Sequence, residues 1–230
     1  MDSRTRFSIS ILLPWVLITA IAWSIGWVVG RETLINLFDA NPVQFFLLLQ
    51  AEAEAAGQNS SLSNLLIPLR MGAPGGYIGG IVGGLIAGVT QWLILRKHFE
   101  DAFFLVYLTP VAWIIAFSAT FAAFFPFPFQ NRLQEIIVGG VGASLGAMVQ
   151  WVVIREWVYS SALWIPATGI AWALAISLFQ GIASIHGDEM PLDIMRGIAL
   201  ITEYAIPAAL VFAIATGIMA LNLVRSEYYD

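Results

Sequence analysis

The sequence predicts an all-α integral membrane protein: six transmembrane helices arranged as three similar hairpins, plus one short interfacial helix on the outer surface. Three observations predict it. The chain of 230 residues is 59% hydrophobic and only 11% charged, so it lacks the charged surface that a soluble domain of this size needs. Several apolar stretches reach the ~20 residues that cross a bilayer as a helix. The third is a repeated segment: GVTQWLILR at 88–96 and AMVQWVVIR at 147–155 each close a long apolar run.

The spans are placed at 8–30, 73–95, 102–125, 134–154, 157–182 and 197–224, all within one membrane domain covering 1–230. The first follows Arg4 and Arg6, as a signal peptide would. Its apolar run is too long for an h-region, carries Trp15, Trp23 and Trp27, and lacks a small-x-small cleavage site, so it reads as a retained signal anchor. The outer loop after it, 31–72, contains Asn41-Pro42 followed by VQFFLLLQAEAEAAG. Asn as cap, Pro at the first helical position and Gly57 after the run punctuate a helix of about four turns. That is too short to span, so it is expected on the outer surface, with QNSSLS at 58–63 as a flexible connection.

Six spans put both termini on one side. That side carries Arg4, Arg6, Arg96, Lys97, Arg155 and Arg225, against Arg31, Arg70, Arg132 and Arg196 on the other. The positive-inside rule therefore places both termini in the cytoplasm, in a bacterial inner membrane. Acidic residues including Glu32, Asp39, Glu135, Asp188 and Glu189 then fall on the outer side. The net charge of −5 and the lack of a basic run argue against nucleic acid as a partner. Membrane lipids are the expected partners, with other membrane subunits as a further class. Cysteine is absent, which excludes disulfides, thiolate catalysis and Cys-based metal sites.

The repeat runs beyond the opening pair. Thr109-Pro-Val-Ala-Trp113 matches Thr168-Gly-Ile-Ala-Trp172 at the same offset, and Thr19-Ala-Ile-Ala-Trp23 supplies a third copy. The even spans share small residues every fourth position: Gly80, Gly84 and Gly88; Gly139, Ala143 and Ala147; Ala209, Ala213 and Gly217. Positions four apart lie on one helix face. In lipid, apolar side chains gain little by meeting each other, so helices associate through close backbone packing, which Gly and Ala permit. Span two carries a second row, Gly75, Gly79, Gly83 and Ala87, leading to Gln91, which makes it the expected central helix. The three hairpins run in the same direction, as a parallel repeat. Trp92 with Arg96, Trp151 with Arg155, and Arg225 are the expected interfacial anchors, the first two Arg each lying over the indole one turn earlier.

This hairpin, Gly-x-x-x-Gly-x-x-Gln-Trp-x-x-x-Arg followed by Thr-x-x-Ala-Trp, resembles uncharacterised multi-pass membrane proteins of cyanobacteria and Chloroflexota. The resemblance covers 73–177 well and the first and sixth spans loosely. Span six departs from it, with Ala220-Leu221 where Gln-Trp is expected. It implies a membrane fold and a phototroph or relative as host, and no activity.

Polar groups inside the membrane are the candidates for chemistry. Glu203, in LITEYAIPAAL, is an intramembrane carboxyl candidate, with Pro207 four residues on freeing its carbonyl and able to kink the helix. Gln91 and Gln150 sit about one turn inside the boundary; each is either an interhelical hydrogen-bonding residue or a ligand contact. Thr19, Thr109 and Thr168 read as helix–helix or back-bonding hydroxyls. His98 and His186 read as solvated loop histidines. Asp188, Glu189 and Asp193, near His186, offer hard oxygen ligands but no metal-site spacing, so no metal site is assigned. No catalytic motif is present, and the Trp and Phe residues are expected as lipid-facing bulk and interface belts. No cofactor is evident; bound lipid is expected and pigment stays open. The expected function is a non-catalytic structural or accessory subunit of a larger membrane complex, photosynthetic or bioenergetic in kind. The alternative is a small-solute transporter or substrate-binding membrane component, and an intramembrane enzyme ranks last.

Overall fold

The computed structural model describes residues 3–40, 61–124, 132–157, 159–186 and 205–227. Among them the regular structure is helical, with no strand: α1 Ser3–Ala40, α2 Ser61–Leu95, α3 Leu105–Phe124, α4 Arg132–Ile154, α5 Trp164–His186 and α6 Ile206–Glu227. Short 3₁₀ turns at Glu100–Phe104 and Tyr159–Leu163 lead into α3 and α5.

Five segments are long and apolar enough to cross a membrane: Ser10–Leu34, Ala73–Leu95, Glu100–Ala123, Arg132–Ile154 and Ser161–Ile182. The described apolar part of α6 is Ile206–Asn222, about 25 Å of helix at ~1.5 Å per residue, a little under the ~30 Å hydrocarbon core. The span expected at 197–224 begins in residues outside those described.

Hydrophobicity is turned outward. On α1, Leu13, Leu17, Ile21 and Ile25 are exposed at four-residue spacing, and on α4 Ile137, Val141, Leu145, Met148 and Val152 are exposed at spacings of three and four. The interior holds Ala22, Ala87, Ala143, Ala147, Ala209 and Ala213 with Thr and Gln side chains and large aromatic rings. In water these exposed stripes would drive aggregation; facing acyl chains they are at home. The chain is an integral membrane protein in contact with lipid.

Each helix packs against its neighbours in sequence, and α6 returns to α1, closing the bundle. The glycine rows set these contacts. A Cβ on Gly84 would lie 2.5 Å from Pro110 Cα of α3, and one on Gly80 2.5 Å from Ile114 Cα. On the other face of α2, Gly75 and Gly79 meet Gly30 and Gly26 of α1, where a Cβ on Gly26 would sit 2.7 Å from Gly79 O. Two small faces let α2 touch two helices backbone to backbone, and helix pairs in lipid depend on such contact.

Three expectations are corrected. The segment placed at 31–72 as an outer loop is helical at both ends, with α1 continuing to Ala40 and α2 beginning at Ser61, although the apolar spans themselves end at Leu34 and resume at Ala73. Residues 31–40 contain no Gly or Pro, and nothing disfavours helix until Pro42 biases the residue before it away from helical geometry. Ser61–Ser63, assigned to a flexible connection, are therefore in α2; the short helix expected after Asn41 lies outside the described residues. Glu135, read as one of the acidic loop residues of the outer side, is instead buried in the first turn of α4. The third correction concerns tryptophan. Trp15, Trp23, Trp27, Trp113, Trp164 and Trp172 are buried, not lipid-facing. With Gly and Ala drawing the backbones together, large rings are needed to fill the middle of the bundle at crystal-like density.

Candidate functional site

The centre of the bundle is built in layers by residues four apart along the helices. On α1 these are Trp15, Thr19, Trp23 and Trp27; on α5, Trp164, Thr168 and Trp172; on α3, Leu105, Thr109, Trp113, Phe117 and Phe121. Four-residue spacing keeps each series on one face, and all of them are buried.

One layer is aromatic. Trp23 stacks on Trp27 with ring centroids 5.4 Å apart, and Trp27 stacks on Phe121 at 4.9 Å. Trp172 meets Trp23 edge-on at 5.8 Å and Trp113 at 6.2 Å. Edge-to-face and offset contacts are the geometries that ring quadrupoles favour. Trp172 Nε1 donates to Thr120 Oγ1 at 3.0 Å, while Trp23 Nε1 has no hydrogen-bond partner among the described residues.

Toward the Arg96–Arg155 end lies a polar layer. Trp164 Nε1 donates to Gln150 Oε1 at 3.1 Å, Gln150 Nε2 donates to Thr109 Oγ1 at 2.9 Å, and Thr109 donates to Gln91 Oε1 at 2.7 Å. The chain of donors joins α5, α4, α3 and α2. Trp15 Nε1 donates to Thr216 Oγ1 at 3.3 Å, tying α1 to α6. Trp15 and Trp164 then pack edge-on at 6.3 Å, closing that end.

These groups surround a cavity of about 20 Å³. Its polar lining is Thr19, Gln91, Gln150, Thr168 and Thr216. Ala112, Ala116, Ala143 and Ala147 supply small walls, and Trp113, Trp164, Trp172 and Phe212 the bulky ones. No lining residue carries a charge. The site offers neutral hydrogen bonding in a low-dielectric setting, with neither a nucleophile–base pair nor a charged metal ligand.

The residues singled out in the sequence fall in several places. Gln91 and Gln150 come together on Thr109. Ala143 and Ala147 line the cavity, while Gly139 lies against Ile176 and Trp172 of α5. Gly80, Gly84 and Gly88 face α3, and Gly217 meets Leu12, Trp15 and Val16 of α1. Ala209 and Ala213 are fully buried. The Arg96 guanidinium lies 5.4 Å from the Trp92 ring centroid and that of Arg155 5.6 Å from Trp151. Trp151 also donates to Ser161 at 3.2 Å, and Arg155 pairs with Glu156 at 3.0 Å on the exposed surface. Glu203 and the side chains of Arg225 and His186 lie outside the described residues, as do Asp188, Glu189 and Asp193. Pro207 is the second residue of α6, so the turn it was expected to kink, back to Glu203, lies largely outside the described residues too.

Sequence reasoning missed Trp15, Trp164 and Thr216. A signal for the first two was present: each stands four residues before the Thr of a Thr-x-x-Ala-Trp copy, where the middle copy has Leu105. It also missed the buried contact in which Gln180 Nε2 donates to Glu135 Oε2, joining α5 to α4 at the far end of the bundle. Comparison with known proteins adds nothing to this geometry: no family model, curated protein or solved structure matches the chain.

Proposed function

We propose that the protein is a non-catalytic integral membrane protein serving as a structural or accessory subunit of a larger membrane complex. The observation that carries this reading is the filled centre of the bundle. Stacked indoles and phenyl rings occupy one layer, and an internally paired polar chain occupies the next, leaving about 20 Å³. A centre so packed among the described residues holds the helices in fixed relation, as a scaffold requires. The protein's useful surface is then the outer one.

The architecture in this reading is three repeated hairpins around a pseudo-threefold axis. Equivalent contacts support it. Gly88 meets Leu105, Val106 and Thr109 of α3, and Gly217, its counterpart in the repeat, meets Leu12, Trp15 and Val16 of α1. Arg96 over Trp92 and Arg155 over Trp151 repeat at one register and serve as interfacial anchors on the cytoplasmic side. The resemblance to multi-pass proteins of cyanobacteria and Chloroflexota points to a bioenergetic membrane as the setting.

The test is native mass spectrometry of the protein taken from its own membranes in mild detergent, with an absorption spectrum of the same sample. Stoichiometric partner chains or bound pigment support the subunit reading. A lone, colourless protein overturns it and favours a small-solute carrier or binding component. Under that second reading Glu203→Gln abolishes uptake while folding is kept; unchanged uptake removes Glu203 from the site.

A further inference from the structure

The donor chain through the polar layer runs in one direction and has an open end. It starts at Trp164 Nε1, which can only donate, and passes through Gln150 and Thr109 to Gln91 Oε1. Among the described residues no hydrogen bond reaches Gln91 Nε2, although Gln91 is only 5% exposed. The Thr19 hydroxyl is in the same position. Thr168 donates to its own helix at Trp164 O, 2.7 Å away, but Thr19 makes no such bond among the described residues and is 2% exposed. Both residues line the central cavity. Leaving a buried polar group unsatisfied costs about 1–3 kcal/mol, and two such groups facing one space call for a common partner.

We propose that this cavity is a binding site for one buried water, which accepts a hydrogen bond from Gln91 Nε2 and bonds to the Thr19 hydroxyl, bridging α2 to α1. Size decides the class of ligand. A cavity needs roughly 10–15 Å³ by this measure to hold one water, and this one has about 20 Å³, too little for an organic solute. Charge decides it again. No lining residue is ionised, so an ion would be buried without a counter-charge at a large desolvation cost. Thr216 Oγ1, which accepts from Trp15 and donates to Phe212 O, keeps a lone pair as a third partner, within the two to four that buried waters use. The water completes the polar layer: α1 carries no link of the donor chain from α5 to α2, and the water connects it to α2 there.

The test is a structure of the protein in lipid nanodiscs at a resolution where other internal waters are visible. The expected result is a single peak at about 2.7–3.2 Å from the Gln91 amide and the Thr19 hydroxyl. No peak, or continuous density from a larger group, overturns the proposal. An independent measurement uses thermal unfolding of Thr19→Val, Gln91→Leu and the double variant. A shared water makes the loss in Tm of the double variant clearly smaller than the sum of the single losses; strict additivity overturns it. Should Gln91→Leu fail to fold, Thr19→Val with Thr216→Val gives the same comparison.

Discussion

Gln150 of α4 donates to Thr109 of α3 at 2.9 Å, and the same threonine hydroxyl donates onward to Gln91 of α2. One small side chain thus joins three helices at the middle of the bundle. Thr109→Val keeps the shape and removes both bonds, stranding two amides. The expected loss is about 1–3 kcal/mol, read as a lower Tm in detergent, and Thr109→Ser restores most of it. Equal stability of the valine and serine variants would contradict the role given to this hydroxyl.

Gly84 sits where a Cβ would meet the backbone of Pro110, which cannot rotate away. Gly84→Leu is therefore expected to separate α2 from α3, seen as aggregation or loss of the monodisperse peak in size-exclusion chromatography. Among the described residues a methyl group on Gly181 would meet nothing within 4 Å, so Gly181→Ala is expected to be neutral or stabilising by up to about 1 kcal/mol. The contrast separates packing from a general intolerance of glycine replacement.

Trp172 touches Trp23, Trp113, Phe117 and Phe212 and is 1% exposed. Truncation to Ala opens a large void, at a cost of about 3–5 kcal/mol. Trp172→Phe keeps much of the ring but leaves Thr120 without its indole donor, and a smaller drop is expected. Thermal melts of the two variants check the order.

Glu135 accepts from Gln180 where both are buried. Glu135→Leu leaves the amide of Gln180 without this acceptor and is expected to cost about 1–3 kcal/mol. Glu135→Gln keeps an acceptor and is expected to cost less. Chemical unfolding of both variants decides it, and equal losses would show that the pair contributes only through packing.

Because the chain contains no cysteine, single cysteines report sidedness directly. Lys97 and Glu156, both exposed in the short turns after α2 and α4, are expected to label from the cytoplasmic side when changed to Cys. Asn36→Cys, beyond the apolar part of α1, is expected to label from the opposite side. Labelling of Lys97→Cys and Asn36→Cys by the same impermeant reagent from one side only would refute the topology.

The sequence by itself determined the solvent and the scaffold. Composition and apolar run length require lipid, and the Gly and Ala rows name the contact faces, because backbone approach is limited by the side chain that a residue carries. Gln91 and Gln150 were legible as polar groups inside the boundary for the same reason: an amide in hydrocarbon must find a partner. Tertiary structure decided what those partners are. Thr109 as the shared acceptor and donor, Trp15 reaching Thr216 across α1 and α6, and Glu135 turned inward to Gln180 all depend on rotation and depth of one helix against another. Periodicity along a single helix carries no record of either. The tryptophans show the limit most plainly. An indole suits an interface and a core equally well by composition, and only the narrow spacing set by the glycines, which leaves a central volume for large rings, placed them inside.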